Sequence, residues 1–169
     1  MKRAMKILTG SVLLSLAPLA SAQEESDPVA LRIASGFVDF AGSADNALAL
    51  VCALREGLAV RLTSPVAEGL SDMPEMAVIE PPTGKMSWDD VKMALMLARD
   101  GLKRYGIAHP TLEQLQAVLI GGDVTTPNGK AVAFRGVLQM RADGVNWGGI
   151  AAERYRRPEI TRKEIVGAL

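Results

Sequence analysis

The chain holds one cysteine and one histidine, Cys52 and His109. A cysteine nucleophile needs a base to take its proton, so these two residues are the only Cys–His combination available. Their settings argue against the pairing. Cys52 lies in the apolar run Leu48–Leu54, "LALVCAL", and reads as a small buried hydrophobe. His109 precedes Pro110 in a linker. Asp89 and Asp90 stand side by side and could share acid–base work, but two acidic residues also suit the first turn of a helix, where the dipole is positive. Met73, Met76 and Met86, with His109, are soft donors of the kind that select Cu(I). They are scattered over loops, and Met93 and Met96 read as core. No H-E-x-x-H, P-loop or nucleophile elbow occurs. The residues therefore assign no catalytic group, metal or cofactor. What remains is a late basic set, Arg154, Arg156, Arg157, Arg162 and Lys163, which can engage a polyanion by charge alone.

The charge distribution frames that set. The chain carries 19 basic and 19 acidic residues, unevenly placed. Residues 23–90 hold 4 basic and 12 acidic side chains, and residues 91–169 hold 12 and 7. A basic second half suits an anionic partner, and the acidic first half could pair with it in a neighbouring copy to give a homo-oligomer.

The N-terminus supplies an address. Lys2, Arg3 and Lys6 precede a short uncharged apolar run, Ile7 to Leu19, and Ala20-Ser21-Ala22 is a small-x-small cleavage site. Residues 1–22 read as a secretory signal, and the run is too short to span a bilayer. The expected destination is the periplasm or the medium, with no transmembrane span. A single cysteine excludes an internal disulfide. Residues 23–36 read as a polar, partly disordered lead-in. Residues 37–169 are long enough for one domain with its own core, and with aromatic content at only 4% that core must be aliphatic.

The elements that position these residues follow from periodicity and capping. A short strand is expected at Phe37 to Phe40. Ser43 reads as the N-cap of a helix over Ala44 to Glu56, ended by Gly57. Apolar on every side between Ala47 and Leu54, this helix belongs at the centre. Leu58, Val60 and Leu62 alternate with Ala59, Arg61 and Thr63 as in a half-buried strand, and Met76 to Ile79 can pair with it. Ser87 and Asp90 form an S-x-x-D box before the longest helix, whose stripe is Trp88, Val91, Leu95, Ala98, Leu102 and Tyr105, widened by Met93, Met96 and Leu97. Thr111 and Gln114 cap the next helix, which stops at Gly121-Gly122. Asn128-Gly129 turns a hairpin between Val124-Thr125 and Val132–Phe134. Three helical segments end the chain, near Val137 to Ala142, Trp147 to Tyr155 and Thr161 to Ala168. The fold class is α+β and predominantly α-helical: five or six helices and one or two small β-hairpins in one compact domain.

The last three segments form a helix-turn-helix-like unit. "VLQMRADG" and "VNWGGIAAERY" fit the first two helices of a DNA-binding motif. The linker Arg156–Ile160 lacks the expected glycine, and Glu159 and Glu164 would face phosphate, so DNA is disfavoured as a partner. Trp147, Ile150 and Ala151 are expected to pack the unit on the core, with Gly148 and Gly149 admitting another backbone.

The segments "PPTGKMSWDDVKMALMLARDGLKRYGIAHPTLEQLQAVL" and "GVLQMRADGVNWGGIA" carry a resemblance. Over roughly Phe37 to Ala151 the chain resembles an uncharacterised family of short exported proteins of Gram-negative bacteria, with a P-P-T-G-K-M-x-aromatic stretch, P-T-x-E-Q-L, and a late G-x-x-W-G-x-I-A. The resemblance implies export and transfers no catalytic residue. The expected function is that of an exported, non-enzymatic binding protein. Its basic C-terminal face would take an anionic envelope polymer, a lipid headgroup or an acidic protein. The alternatives are a cell-envelope hydrolase or transferase without a recognisable motif, and, were the N-terminus retained, a DNA-binding module.

Overall fold

Asp27 starts the first helix by accepting the Val29 N–H on its carboxylate at 2.8 Å, with Pro28 at the first helical position, where its missing N–H does no harm. The computed structural model describes residues 27–64 and 75–155. The proposed signal, Met73, and the segment Thr161 to Ala168 lie outside the described residues. Within them the element order is α1 (Pro28–Ser35), α2 (Val38–Ala41), α3 (Ala44–Glu56), β1 (Val60–Thr63), β2 (Met76–Ile79), α4 (Trp88–Lys103), α5 (Leu112–Ile120), β3 (Gly122–Thr125), β4 (Ala131–Phe134), α6 (Val137–Ala142) and α7 (Trp147–Tyr155). The architecture is α+β and mostly helical, with two antiparallel two-stranded sheets.

Two expectations for the early chain are corrected. Part of the presumed lead-in is the helix α1, whose Ala30 and Ala34 are buried one turn apart. Such small side chains let α1 lie close on α3. The strand expected at Phe37 to Phe40 is instead a helical turn, α2. Phe37 and Phe40, three residues apart, are both buried and meet edge to face with centroids 6.3 Å apart, a contact that alternation on a strand would forbid. Arg99 of α4 closes this corner. Its Nη1 donates to the Gly36 carbonyl at 3.0 Å, and its guanidinium lies 4.9 Å from the Phe37 ring centre.

The central helix α3 buries Ala47, Leu50, Val51, Ala53 and Leu54, but Cys52 is exposed. An apolar sequence on every side did not mean burial on every side. The core takes one broad face, and Cys52 falls opposite it. Partial burial of the thiol, together with the Asp27 and Glu56 carboxylates, pushes its pKa up, so Cys52 stays a thiol at neutral pH.

Asn46 joins α3 to the first sheet. This buried residue donates from Nδ2 to the carbonyls of Ala41 (3.0 Å) and Thr63 (2.9 Å), and its Oδ1 accepts the Thr63 N–H at 3.2 Å. The side-chain amide thus behaves toward β1 as a neighbouring strand would. Asn46→Ala strands three backbone groups, and we expect a loss of about 2 kcal/mol, read from a urea unfolding midpoint. A loss below about 0.5 kcal/mol would show that water replaces the amide without penalty.

The first sheet follows the expected alternation from Val60 onward, but Leu58, expected on the buried face, precedes β1 and is exposed. Val60, Leu62, Ala77 and Ile79 point inward, and Arg61, Thr63, Met76 and Val78 point out, in the register Val60↔Ile79 to Thr63↔Met76. In α4 the stripe Val91, Leu95, Ala98 and Leu102 is buried, whereas Met93, expected in the core, is 39% exposed. Tyr105, beyond the C-terminus of α4, packs edge to face on Phe134 with centroids 5.5 Å apart, which fastens the second sheet to the helical core.

Backbone-to-backbone approach sets two junctions. Gly136, at φ +78°, lies so close to the end of α5 that a Cβ there would sit 2.3 Å from the Ile120 carbonyl carbon. Gly57, at φ +70°, ends α3 against the loop before α4, where a Cβ would sit 2.4 Å from the Gly84 carbonyl carbon. No helix among the described residues is long and apolar enough to cross a membrane.

Candidate binding surface around the C-terminal helices

The two motif segments that stood apart in sequence meet at the N-terminus of α4. Ser87 caps that helix: its hydroxyl oxygen accepts the Asp90 N–H at 3.1 Å and its hydroxyl donates to Asp90 Oδ2 at 2.8 Å. The second carboxylate oxygen, Oδ1, accepts the indole N–H of Trp147 at 2.6 Å. Asp90 therefore links the cap of α4 to the first residue of α7. The Trp147 hydrogen bond, followed by that from Ser87, holds the Asp90 carboxyl below the usual carboxylate range. The Arg141 guanidinium of α6 lies 5.1 Å from the centre of the Trp147 ring, over its negative face. Fully buried Ile150 completes the seat of α7 on the core.

This arrangement answers the question raised by Asp89 and Asp90. They do not act as a carboxylate pair. Asp89 is exposed, while Asp90 is occupied by a cap and an indole.

Among the described residues, no other backbone approaches the glycines of "NWGG". A Cβ at Gly149 would meet Val145 Cγ1 at 2.9 Å and Asn146 Oδ1 at 3.4 Å, and one at Gly148 only Asn146 Oδ1. Asn146 accepts the Gly149 N–H at 2.8 Å, so the small residues clear space for the side chain that caps their own helix.

A second aromatic–cation contact lies nearby in the same motif. Arg55 of α3 donates from Nη1 to the Met86 carbonyl at 2.6 Å, and its guanidinium is 5.2 Å from the centre of the Trp88 ring. The Met86 N–H returns to the Arg55 carbonyl at 3.2 Å. Lys85 Nζ pairs with Glu56 at 2.7 Å, and that lysine holds the Glu56 carboxyl below its ordinary range. The P-P-T-G-K-M stretch thus clamps the end of α3 and delivers Ser87 and Trp88 to the start of α4.

Of the basic residues singled out in the sequence, Arg154 stands in the last turn of α7 by its backbone, and its side chain is outside the described set. Arg156, Arg157, Arg162 and Lys163 lie outside the described residues. The third helix of the helix-turn-helix-like unit does so too, while α6, the turn at Asp143–Asn146 and α7 are present as expected. Arginines earlier in this half are engaged within the molecule: Arg141 stacks on Trp147, and Arg135 lies 3.5 Å from Asp143.

His109 borders a different feature, an open cleft of ≈ 230 Å³ whose lining includes Asn46, Ser64, Glu75, His109 and Thr111. Three of its polar residues already have partners. Asn46 is bound as described, Ser64 is bonded, and Thr111 Oγ1 accepts the Gln114 N–H in a complete capping box. Cys52 does not line this cleft, so the structure does not bring the Cys–His combination together there. Of the described methionines in that set, Met76 projects from the exposed face of β2, and Met86 is buried in the loop before α4. Sequence reasoning missed the Asp90–Trp147 link, since nothing local relates residues 57 positions apart. No family model, curated protein or solved structure matches the chain.

Proposed function

We propose that this is an exported protein of the periplasm or medium that works by binding. The basic segment Arg154, Arg156, Arg157, Arg162 and Lys163 docks on an anionic partner, namely an envelope polymer, a lipid headgroup surface or an acidic protein. The observation that carries this reading is the fastening of α7. The Trp147–Asp90 hydrogen bond and the buried Ile150 make α7 a fixed support, and the arginine-rich segment continues directly from it in sequence. Three or more closely spaced cations leaving a rigid base raise the local potential without needing a shaped pocket. Arg141 of the same half is held over the Trp147 ring, whereas the sequence concentrates five cations in the ten residues 154–163.

Retention on heparin and on vesicles containing phosphatidylglycerol tests this. Binding should weaken steeply between roughly 0.05 and 0.5 M salt, as the Debye length contracts from about 14 to 4 Å. Arg156→Glu with Arg157→Glu should abolish retention without moving the unfolding midpoint. Failure of the parent protein to bind either surface at low salt overturns the proposal. The intact mass of protein recovered from the periplasm tests export: loss of residues 1–22 is expected, and retention of Met1 counts against it.

A further inference from the structure

The four strands differ in how their outer edges are closed. Antiparallel pairs alternate between residues bonded to each other and residues whose N–H and C=O point away. In the first sheet, the Ser64 N–H bonds the Glu75 carbonyl at 2.9 Å, so with the observed register the outward pairs are Thr63–Met76 and Arg61–Val78. Asn46 fills the β1 edge at Thr63, and on the β2 edge Gln116 Nε2 donates to the Val78 carbonyl at 3.0 Å. In the second sheet, the Thr126 N–H bonds the Lys130 carbonyl at 2.8 Å, which makes Thr125–Ala131 and Asp123–Ala133 the outward pairs. Gln114 Nε2 donates to the Thr125 carbonyl at 3.2 Å on the β3 edge. Side-chain amides therefore bond an outward backbone group on three of the four edges. On β4 the outward groups are those of Ala131 and Ala133, both exposed, and no described residue bonds them.

We propose that the β4 edge is a strand-addition site for an extended, acidic peptide segment of a partner protein. An unpaired edge is a template for another strand, and proteins ordinarily blunt it with charges, proline or a covering element. Ala131 and Ala133 do none of these, and their small side chains leave the backbone accessible. The edge is also held ready. Phe134 packs on Tyr105, and buried Val124 opposite Val132 ties β3 to α5, so little ordering is needed on binding.

Charge selects the occupant. Exposed Lys130 and Arg135 flank the two ends of β4. Arg135 lies 3.5 Å from Asp143, but both side chains are exposed, so the pair is weak and the guanidinium is free to exchange it for a peptide carboxylate. A second copy would bring lysine and arginine against lysine and arginine in either strand direction. A β-prone run with acidic residues at its ends meets opposite charge instead. This inference needs neither export nor the arginine-rich segment.

The probe is a fluorescein-labelled peptide of about seven residues, alternating threonine and valine between an aspartate and a glutamate, titrated against the full chain by anisotropy. Ala133→Pro removes one outward N–H at an edge position, where proline is tolerated, and should weaken the probe by about tenfold or more. Lys130→Glu should weaken it and favour a probe with lysine ends. The parent protein also gives a readout that does not depend on any variant folding. N-methylation of one alternating set of probe amides should abolish binding, and methylation of the other set should spare it. Equal loss from both sets, or binding unchanged by Ala133→Pro, overturns the proposal. So does concentration-dependent dimerisation that Ala133→Pro abolishes, since it would identify a second copy as the occupant. Because charge reversal at Arg156 and Arg157 should leave the probe's affinity unchanged, failure here and failure of the polyanion reading are distinguishable.

Discussion

Gly57→Ala is expected to destabilise the protein by about 4 kcal/mol, and Gly42→Ala by only about 1 kcal/mol. Both glycines follow helices in the left-handed region, at φ +70° and +83°, so both substitutions carry the same penalty of ~1–2 kcal/mol for placing a Cβ there. They differ in what lies beyond. A Cβ at Gly42 meets nothing within 4 Å, whereas one at Gly57 would sit 2.4 Å from Gly84 C, 2.6 Å from Lys85 N and 2.8 Å from Gly84 Cα. These are backbone atoms and cannot swing aside. The loop must lift, and it is held by the Met86 N–H on the Arg55 carbonyl and by Arg55 Nη1 on the Met86 carbonyl. Breaking both adds roughly 2–4 kcal/mol, since one donor is charged. Urea midpoints at constant m-value measure the difference. Equal losses at the two sites would mean that the loop gives way freely and that the clamp on α3 contributes little.

Local chemistry made much of this architecture readable. Ser43, Ser87 and Thr111 announce their helices because each hydroxyl oxygen bonds an N–H three residues on. The α4 stripe and the alternation of β1 and β2 follow from periods that one-sided burial imposes. Asn128-Gly129 announced the turn between β3 and β4. The opposite cases share a cause. α1 buries alanines, Ala30 and Ala34, which make a weak stripe, although Asp27-Pro28 was an available start signal. "FVDF" fits a strand by composition, but spacing its two aromatics by three lets them meet on a helical turn. An all-apolar α3 gave no means of telling which side would face outward, so Cys52 was misplaced. Met93 was drawn into a stripe wider than the face α4 buries. The surface around α7 was readable only as separate pieces. The cations of 154–163 were visible in the sequence, but the seat of α7, which that segment follows in the chain, depends on Asp90 and Trp147, which no turn, strand or helix period connects.

Removing Trp147 should therefore have an effect out of proportion to its half-exposed ring: about 3 kcal/mol for Trp147→Ala, from lost packing, lost stacking with Arg141 and an orphaned Asp90. Single substitutions cannot separate the hydrogen bond from those other losses, because Asp90→Ala also strips the Ser87 contact and a favourable charge from the α4 N-terminus. A double-mutant cycle of Asp90→Ala and Trp147→Phe isolates the link, and the expected coupling is about 1–2 kcal/mol at pH 7, kept modest by the site's partial exposure. Acid gives an independent check. The pKa of Asp90 is lower in the folded chain than in the unfolded one. Its contribution is then complete above the unfolded value of about 3.9 and is lost as pH falls through the folded value. Asp90→Asn keeps an acceptor for the indole but has no charge to titrate, so the stability gap between parent and Asp90→Asn should close as pH is lowered from about 5 toward 2. A gap that stays constant over that range, or a coupling near zero at pH 7, would show that α7 is held by packing and not by the Asp90–Trp147 hydrogen bond, and the basic segment would then lack the polar anchor proposed for its support.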